Sequence, residues 1–187
     1  ASESPAPGGG SSAAYVGALG AALGTMVANL SAHKRGWDDR WATFSDWADR
    51  GQAHLRTLLA LVDDDTRAFN ALMAALRLPG GSDEERAARD EAVQAATRGA
   101  IEVPLAVMRT ALESMDVAGA MAESGNPNSV SDAAVGALCA RAAVRGAWFN
   151  VRINMPGVTD RAWASAVLAE GERLLTDAEA LEHEILA

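Results

Sequence analysis

The feature that most constrains the fold of this chain is a regular spacing of apolar residues from Trp37 to Leu76. Steps of four and three residues alternate along this stretch, which places the side chains on one stripe of a helix. The stripe consists of Trp37, Trp41, Phe44, Ala48, Gly51, Leu55, Leu58, Val62, Asp65, Phe69, Leu72 and Leu76. We expect one long helix over about residues 37–78. Because it must bury its stripe against other helices, the pattern predicts a helical bundle.

The composition favours helix over sheet. Hydrophobic residues make up 49% of the 187 residues, enough for a sizeable core, whereas aromatic residues make up only 5%. Alanine and leucine favour helices, and the β-branched and aromatic residues that favour strands are sparse. We therefore predict an all-α, single-domain, up-down bundle over residues 1–187, with no β-sheet.

Charge and cysteine content restrict the partners. The net charge of −9 at pH 7 argues against a nucleic-acid surface, because phosphate backbones are bound by broad basic faces. Cys139 is the only cysteine, so an intrachain disulfide and a cysteine-rich metal site are excluded. Histidine and acidic residues show no metal-ligand spacing, and we expect no metal. A reducing cytoplasm is the expected location.

The segment between Glu3 and His33 has no charged residue and is long enough to cross a membrane as a helix. Its many glycine, serine, threonine and asparagine residues leave it only weakly apolar. It lacks the basic start of a signal peptide, and because the chain opens without methionine a further segment can precede Ala1. We predict a buried core helix and no membrane partner.

Breaks and caps bound four further helices. Residues 1–12 are predicted to form a glycine-rich loop before a helix over about Ala13–Ala32, and the later helices are expected to end near Glu123, Ile153 and Leu186. The predicted N-terminal caps are Ser11 or Ser12, Ser82 with Glu85 as a capping box, Ser131 or Asp132 before a helix from Ala133, and Thr159 or Asp160. Pro104 should kink the third helix, and Gly125 should be its C′ residue.

The glycine-rich loop is the first candidate site. Gly8, Gly9 and Gly10 precede the first helix, whose unpaired amides can receive a carboxylate or phosphate. Glycines also let a ligand approach the backbone closely. Neither a P-loop nor a dinucleotide-binding motif is present, since no Gly-Lys-Ser/Thr follows and no strand precedes. The alternative is a plain flexible cap.

Asp65 is the second candidate, because it occupies a position in the stripe where an apolar residue is expected. A carboxylate held among apolar side chains is suited to general acid–base chemistry. The alternative is a slightly rotated helix that leaves Asp65 at a solvated edge beside Asp63 and Asp64.

Two further groups of polar residues could receive a ligand. The amides of Asn126 and Asn128, followed by Asp132, could recognise the hydrogen-bonding edge of a heterocycle, although an ordinary helix connection explains them as well. Lys34 and Arg35, like the arginines that flank Asn150, could receive an anion or could be solvated helix ends. Cys139 lies among alanines, which indicates packing.

Three motifs together resemble one known family. They are PAPGGGSSAAYVGALGAALGTMVANL at 5–30, DTRAFN at 65–70, and GNPNSVSDAAVGAL at 125–138 followed by RGAWFNVRIN at 145–154. This resembles the cyclodeaminase domain of the formiminotransferase–cyclodeaminase family, which includes stand-alone bacterial methenyltetrahydrofolate cyclohydrolases. The similarity covers nearly the whole chain in the same order. The chain departs from the family in lacking a helix before the glycine loop and a lysine-rich run with a tyrosine after the first helix.

The resemblance implies an all-α homodimer that acts on a tetrahydrofolate derivative and needs no metal or redox cofactor. The expected reaction is either cyclohydrolase opening or cyclodeaminase closure of the N5–N10 one-carbon bridge, and the absence of a transferase domain in this chain favours the first. A folate-binding dimer without catalysis, or another substrate on the same fold, is the alternative. The residues hypothesised to shuttle the proton are Asp65 or Asp132, and those hypothesised to bind substrate are Pro7, Gly8, Gly9, Gly10, Ser11, Lys34, Arg35, Asn126, Asn128 and Asn154.

Overall fold

The computed structural model describes residue 3 and residues 6–187. Its five long helices are α1 (Gly9–Ala32), α2 (Trp41–Leu76), α3 (Asp83–Ser124), α4 (Val130–Asn154) and α5 (Arg161–Leu186). Short 3₁₀ turns at Asp38–Arg40, Pro127–Ser129 and Met155–Gly157 lie between them. The described part of the chain contains no strand, so the predicted all-α fold is confirmed.

Helix α1 packs against α2, α3 and α4, while α5 packs on α3 and α4. Small residues allow α1 and α4 to run antiparallel at very short range. A Cβ at Gly20 would lie 2.6 Å from the carbonyl oxygen of Gly136, and one at Gly136 would lie 3.0 Å from that of Gly20. Glycine within a helix costs about 1 kcal/mol relative to alanine. Here the close backbone approach supplies the reason for it.

The apolar stripe is buried in the first half of α2, at Phe44, Ala48, Gly51 and Leu58. The first and last residues of α2, Trp41 and Leu76, are exposed, which differs from the prediction. Helix α2 has 36 residues and α1 has 24. The longer helix therefore extends beyond its partner, and its last turns have no α1 backbone to cover them.

Several predicted boundaries were wrong. Helix α1 begins at Gly9 and not near Ala13, with Gly8 as its cap, so the loop is shorter than predicted. Residues 1, 2, 4 and 5 of that loop lie outside the described residues. Helix α4 begins at Val130, after the 3₁₀ turn, and Ser131 and Asp132 are part of its first turn instead of its cap.

Two predicted helix starts were correct. Ser82 and Glu85 form the capping box of α3, and the side chain of Asp160 accepts the amide hydrogen of Trp163 at the start of α5. Gly125 ends α3 with φ −74°, which is not the left-handed conformation of a C′ glycine. Helix α3 continues through Pro104, and the kink predicted there stays a prediction.

Within the described residues, α1 is long and apolar enough to cross a membrane by length and composition. Just over half of the tested window, 56%, is buried inside the bundle. A core helix passes the same test, so this finding does not bear on the predicted absence of a membrane partner.

Candidate active site

A cleft of about 320 Å³ opens where α1 begins, between α2, α3 and α4. The predicted glycine segment and Asp65 of α2 meet in this cleft. The lining residues are Ala6, Gly8, Gly9, Gly10, Asp65, Phe69, Leu72, Ala100, Asn150, Ile153 and Asn154. One side is therefore polar backbone, carboxylate and amide, and the other is apolar.

Asp65 is fixed by the first turn of α1. The hydroxyl of Ser11, which is only 2% exposed, donates a hydrogen bond of 2.7 Å to Oδ2 of Asp65. The same hydroxyl lies 3.3 Å from Oγ1 of Thr66. Asp65 is half-buried, so its carboxylate is neither sealed in the core nor at the solvated edge that was the alternative. Ser11 therefore positions the Asp65 carboxylate and is not the helix cap that was predicted.

Gly10 makes the approach of Asp65 possible. A Cβ at Gly10 would overlap Oδ1 of Asp65, and one at Gly9 would lie 3.3 Å from Oδ1 of Asn150. The first α1 amide with an intrahelical acceptor is that of Ser12, which donates to the Gly8 carbonyl at 3.0 Å. The amides of the preceding turn have no acceptor within the helix and lie at the positive end of its dipole.

Two asparagines on successive turns of α4 form the opposite wall. Nδ2 of Asn150 donates to the Gly146 carbonyl at 2.9 Å, and Nδ2 of Asn154 donates to the carbonyls of Asn150 at 3.0 Å and Ala100 at 3.3 Å. Asn154 was predicted as a binding residue. In the sequence, Asn150 was considered only because arginines flank it. Its position four residues before Asn154, on the same face of a helix, was the signal that could have identified it.

The structure places the other predicted residues at the far end of α1. The amide of Asn126 donates to Oγ of Ser31 at 2.8 Å, and the amide of Lys34 donates to the Ser31 carbonyl at 3.2 Å. The 3₁₀ turn that contains Asn128 continues from there into the first turn of α4, where Asp132 lies. Because α1 has 24 residues, this end lies about 36 Å from the cleft.

Within one protomer the predicted site is therefore divided. Asp65, Ser11, the glycines and Asn154 meet, whereas Lys34, Arg35, Asn126, Asn128 and Asp132 do not reach them. Pro7 is exposed just outside the lining residues.

The cleft differs from the far end in charge. None of its described lining residues is lysine, arginine or histidine. At the far end, Nζ of Lys34 lies 3.9 Å from the centre of the Trp37 ring, and the Arg40 guanidinium lies 4.3 Å from the same ring. The described residues contain no group of three histidine, cysteine or acidic side chains that could hold a metal ion.

The arrangement suits acid–base chemistry on a flat, polar ligand. Asp65 can accept and return a proton while Ser11 keeps its carboxylate in place. The first-turn amides of α1 and the asparagines can hold oxygen and nitrogen atoms of a heterocycle. Phe69, Leu72 and Ile153 offer apolar surface for its rings.

Known proteins share this sequence and fold. The formiminotransferase-cyclodeaminase family model matches residues 1–173. The chain is 44% identical over 185 residues to a methenyltetrahydrofolate cyclohydrolase of Methylorubrum extorquens, a match that covers 99% of this chain and 89% of the relative. It is 40% identical over 157 residues to the formimidoyltransferase-cyclodeaminase of Rattus norvegicus, covering 84% of this chain but 29% of that protein.

A solved structure agrees with the family match. The crystal structure of formiminotetrahydrofolate cyclodeaminase from Thermotoga maritima superposes with a TM-score of 0.86 and 28% identity, over 98% of this chain and 88% of that one. Family match, near full-length sequence similarity and shared fold lead to one conclusion: the chain belongs to the formiminotransferase-cyclodeaminase family.

Proposed function

We propose that this chain is a methenyltetrahydrofolate cyclohydrolase, which adds water to 5,10-methenyltetrahydrofolate and gives 10-formyltetrahydrofolate. The observation that carries the proposal is the Ser11–Asp65 pair, at 2.7 Å, in the cleft at the start of α1. The 44% identity to a cyclohydrolase along nearly the whole chain supports this reaction over others of the family.

The chemistry needs one group that takes and returns a proton, and Asp65 fits that role. The carboxylate attracts the cationic methenyl bridge and accepts a proton from water as its oxygen bonds to the bridging carbon. The bond from that carbon to N5 then breaks, and N5 receives the proton from Asp65. Loss of the hydroxyl proton to solvent leaves the formyl group on N10. The sum is one water added and one proton released, with no redox step.

The remaining lining residues position the substrate. Amides of Gly9, Gly10 and Ser11 donate to a substrate oxygen, and Asn150 and Asn154 contact the hydrogen-bonding edge of the pterin. Apolar walls of the cleft hold the rings. Because the balanced reaction consumes only water, the proposal includes no metal or cofactor.

Cyclodeaminase activity is the second candidate, supported by the 40% identity to the rat protein and the 0.86 TM-score of the Thermotoga maritima cyclodeaminase. In that reaction N10 attacks the carbon of a protonated 5-formimidoyl group. The N10 proton passes through Asp65 to the leaving nitrogen, which departs as ammonia. The same acid–base group serves both reactions.

One pair of assays tests the proposal. Loss of methenyl absorbance with 5,10-methenyltetrahydrofolate measures the cyclohydrolase, and ammonia release from 5-formimidoyltetrahydrofolate measures the cyclodeaminase. We expect turnover of the methenyl substrate to exceed the uncatalysed rate at neutral pH. Ammonia release without methenyl hydrolysis would favour the second candidate, and tight binding of both folates without turnover would contradict both.

We also propose that the working form is a cytoplasmic homodimer. The single cysteine, which can form no intrachain disulfide, suits a reducing compartment. Exposed apolar side chains on α1 and α4, among them Leu19, Val135 and Ile153, support the dimer.

A further inference from the structure

The division of the predicted site between the two ends of α1 has a physical consequence for substrate binding. The proposed substrate carries a glutamate with two carboxylates at the end remote from its reacting N5. No described cleft residue is a cation. Lys34 and Arg35 of the same protomer lie about 36 Å away along α1. That distance is longer than a tetrahydrofolate with one glutamate.

Exposed apolar side chains cover the side of α1 that faces away from the bundle. Tyr15 is 53% exposed, and Leu19, Met26 and Leu30 continue the stripe. On the adjacent α4 the stripe is extended by Val135, Leu138, Phe149 at 60% and Ile153 at 77% exposed. Ile153 also lines the cleft, so the apolar face reaches the edge of the site.

The size of this face fits a dimer contact. Two adjacent helices about 36 Å long and about 20 Å wide present roughly 700 Å², close to the roughly 800 Å² per partner of a stable interface. Helix α1 carries no charge between Glu3 and His33, so a second copy of the same surface can cover it without burying a charge from α1.

A two-fold contact between such faces has two arrangements. With α1 over the partner's α4, the two clefts come together and the acidic residues 64–65 of both copies approach each other. With α1 antiparallel to its counterpart, residues 64–65 instead approach the partner's residues 33–35, which are His-Lys-Arg. Asp38 and Asp39 follow this basic segment, and Arg40 offsets part of their negative charge. Opposite charges favour the antiparallel arrangement.

The register follows from the stripe. Its ends are Tyr15 and Leu30, so its midpoint lies between Ala22 and Leu23. A two-fold axis at this point places Ser11 at the height of the partner's Lys34, and Gly10 at the height of the partner's Arg35.

We propose that two copies of this chain pair through the α1–α4 face with α1 antiparallel, and that the partner's Lys34 and the partner's Arg35 complete each cleft by binding the substrate's glutamate carboxylates. The inference rests on the proposed function for its ligand. The arrangement also brings the partner's Asn126 to the same edge of the cleft, because Asn126 and Lys34 both hydrogen-bond to Ser31.

The test is a heterodimer of two complementary variants. One chain carries Asp65→Asn and the other carries Lys34→Ala with Arg35→Ala, and two different affinity tags isolate the mixed dimer. Contribution in trans gives one site that is fully wild type and one that carries all the changes. We expect about half the wild-type kcat per dimer with the wild-type KM. The Lys34→Ala/Arg35→Ala homodimer should show a KM about tenfold higher.

A contribution in cis gives a different result. The heterodimer would again show about half the kcat, but with the tenfold higher KM, because the site that keeps Asp65 would lack its cations. That result would overturn the proposal, as would an unchanged KM of the Lys34→Ala/Arg35→Ala homodimer. Arg56→Ala with Arg161→Ala, two exposed arginines outside the cleft, is the charge-matched control and should keep the wild-type KM.

The interface is tested without any folate. Sedimentation should give a dimer for the wild type and a helical monomer for Leu19→Glu, while Leu78→Glu, at an exposed leucine off the face, should remain dimeric. A monomeric wild type, or a dimeric Leu19→Glu, would contradict the proposed face. Wild-type protein that dimerises but turns over neither folate would contradict the proposed function instead.

Discussion

Asp65 interrupts the apolar stripe of α2 at the level where α1 begins. Four residues earlier along α2, the same carboxylate would meet α1 side chains. Four residues later, it would lie beyond the start of α1. At its actual position it meets the Ser11 hydroxyl and the first turn of α1, whose amides have no acceptor within the helix. An acid that costs core stability is thus tolerated where hydrogen bonds compensate for its partial burial.

Asp65→Asn should abolish most turnover and leave the fold intact. The amide keeps the size of the side chain and can accept the Ser11 hydrogen bond, but it cannot take a proton from water. We expect kcat to fall at least about 100-fold, the lower range for a general acid–base group. Steady-state kinetics measure this, with the exposed Asp63→Asn as control. Full turnover by a folded Asp65→Asn protein would remove the residue from the mechanism.

Gly10→Ala should act through Asp65. The new Cβ would overlap Oδ1 of Asp65 and force the carboxylate to move. We expect a loss of kcat of about tenfold or more and a loss of stability of about 1–3 kcal/mol, as for overpacking. A double-mutant cycle with Asp65→Asn checks the route. If Gly10→Ala lowered kcat by the same factor without the carboxylate, the effect would not pass through Asp65.

The residue types that sequence reasoning found were those that break a local pattern. Asp65 stands out in an apolar stripe, and three successive glycines stand out before a helix. Asn150 was missed, and so were Phe69 and Leu72 as lining residues, because an asparagine on a helix or an apolar residue in a stripe is ordinary. Only their position beside α1 makes them part of a cleft, and no local pattern carries that information.

At the scale of helices, glycine positions set how closely the bundle packs. Gly171 of α5 lies against the ring of Trp148, whereas Gly99 of α3 has nothing within 4 Å of where a Cβ would lie. These two glycines make a matched pair. One is required by a neighbouring ring, and the other only lowers helix propensity.

Gly171→Ala should therefore destabilise the protein by about 1–3 kcal/mol, since a Cβ would overlap the Trp148 ring. Gly99→Ala should stabilise it by about 0.5–1 kcal/mol, because alanine is the better helix former. Denaturant unfolding of both variants measures the difference. Equal effects of the two substitutions would contradict the packing of α5 on α4.

His54 of α2 should make stability depend on pH. Burial lowers the pKa of His54 below its ordinary value of 6.5, against the opposing effect of Glu113, whose carboxylate lies 3.9 Å away. Arg50 lowers and Asp116 raises the same pKa. The unfolded chain therefore binds more protons between the two pKa values. Above pH 6.5 His54 is neutral and the free energy of unfolding keeps its full value. As pH falls through that interval, the unfolded chain takes up the proton more readily, and the free energy of unfolding decreases.

His54→Gln should remove this contribution. Unfolding titrations between about pH 7.5 and about pH 5.5 should show a smaller loss of stability in the variant than in the wild type. Identical pH profiles would mean that His54 is equally protonated in the folded and unfolded chains.

The helices themselves were predictable, and their starts less so. The capping box at Ser82 and the cap at Asp160 use side-chain hydrogen bonds that local sequence specifies. The start of α1 was misplaced because successive glycines disfavour a helix, and contacts of Gly9 and Gly10 with α4 and α2 override that preference. Tertiary packing decided the boundary, and single-sequence patterns do not contain it.

At the scale of the whole molecule, α1 is the axis that relates the functional groups. Its start forms the cleft with Asp65, and its end carries the basic segment and the Asn126 turn. Sequence similarity predicted that these groups belong to one site. It could not predict that the helix separates them within a protomer, because a motif does not reveal how far apart its parts lie in the fold.

In the proposed mechanism the folate bridge reacts in the cleft at the start of α1. The sharpest test of this location is a crystal structure with 5-formyltetrahydrofolate, a stable folate with a one-carbon unit on N5. We predict density for the formyl group within hydrogen-bonding distance of Asp65, with the pterin between Asn150 and the glycine amides. An ordered folate bound elsewhere, with this cleft filled only by solvent, would place the reaction at another site.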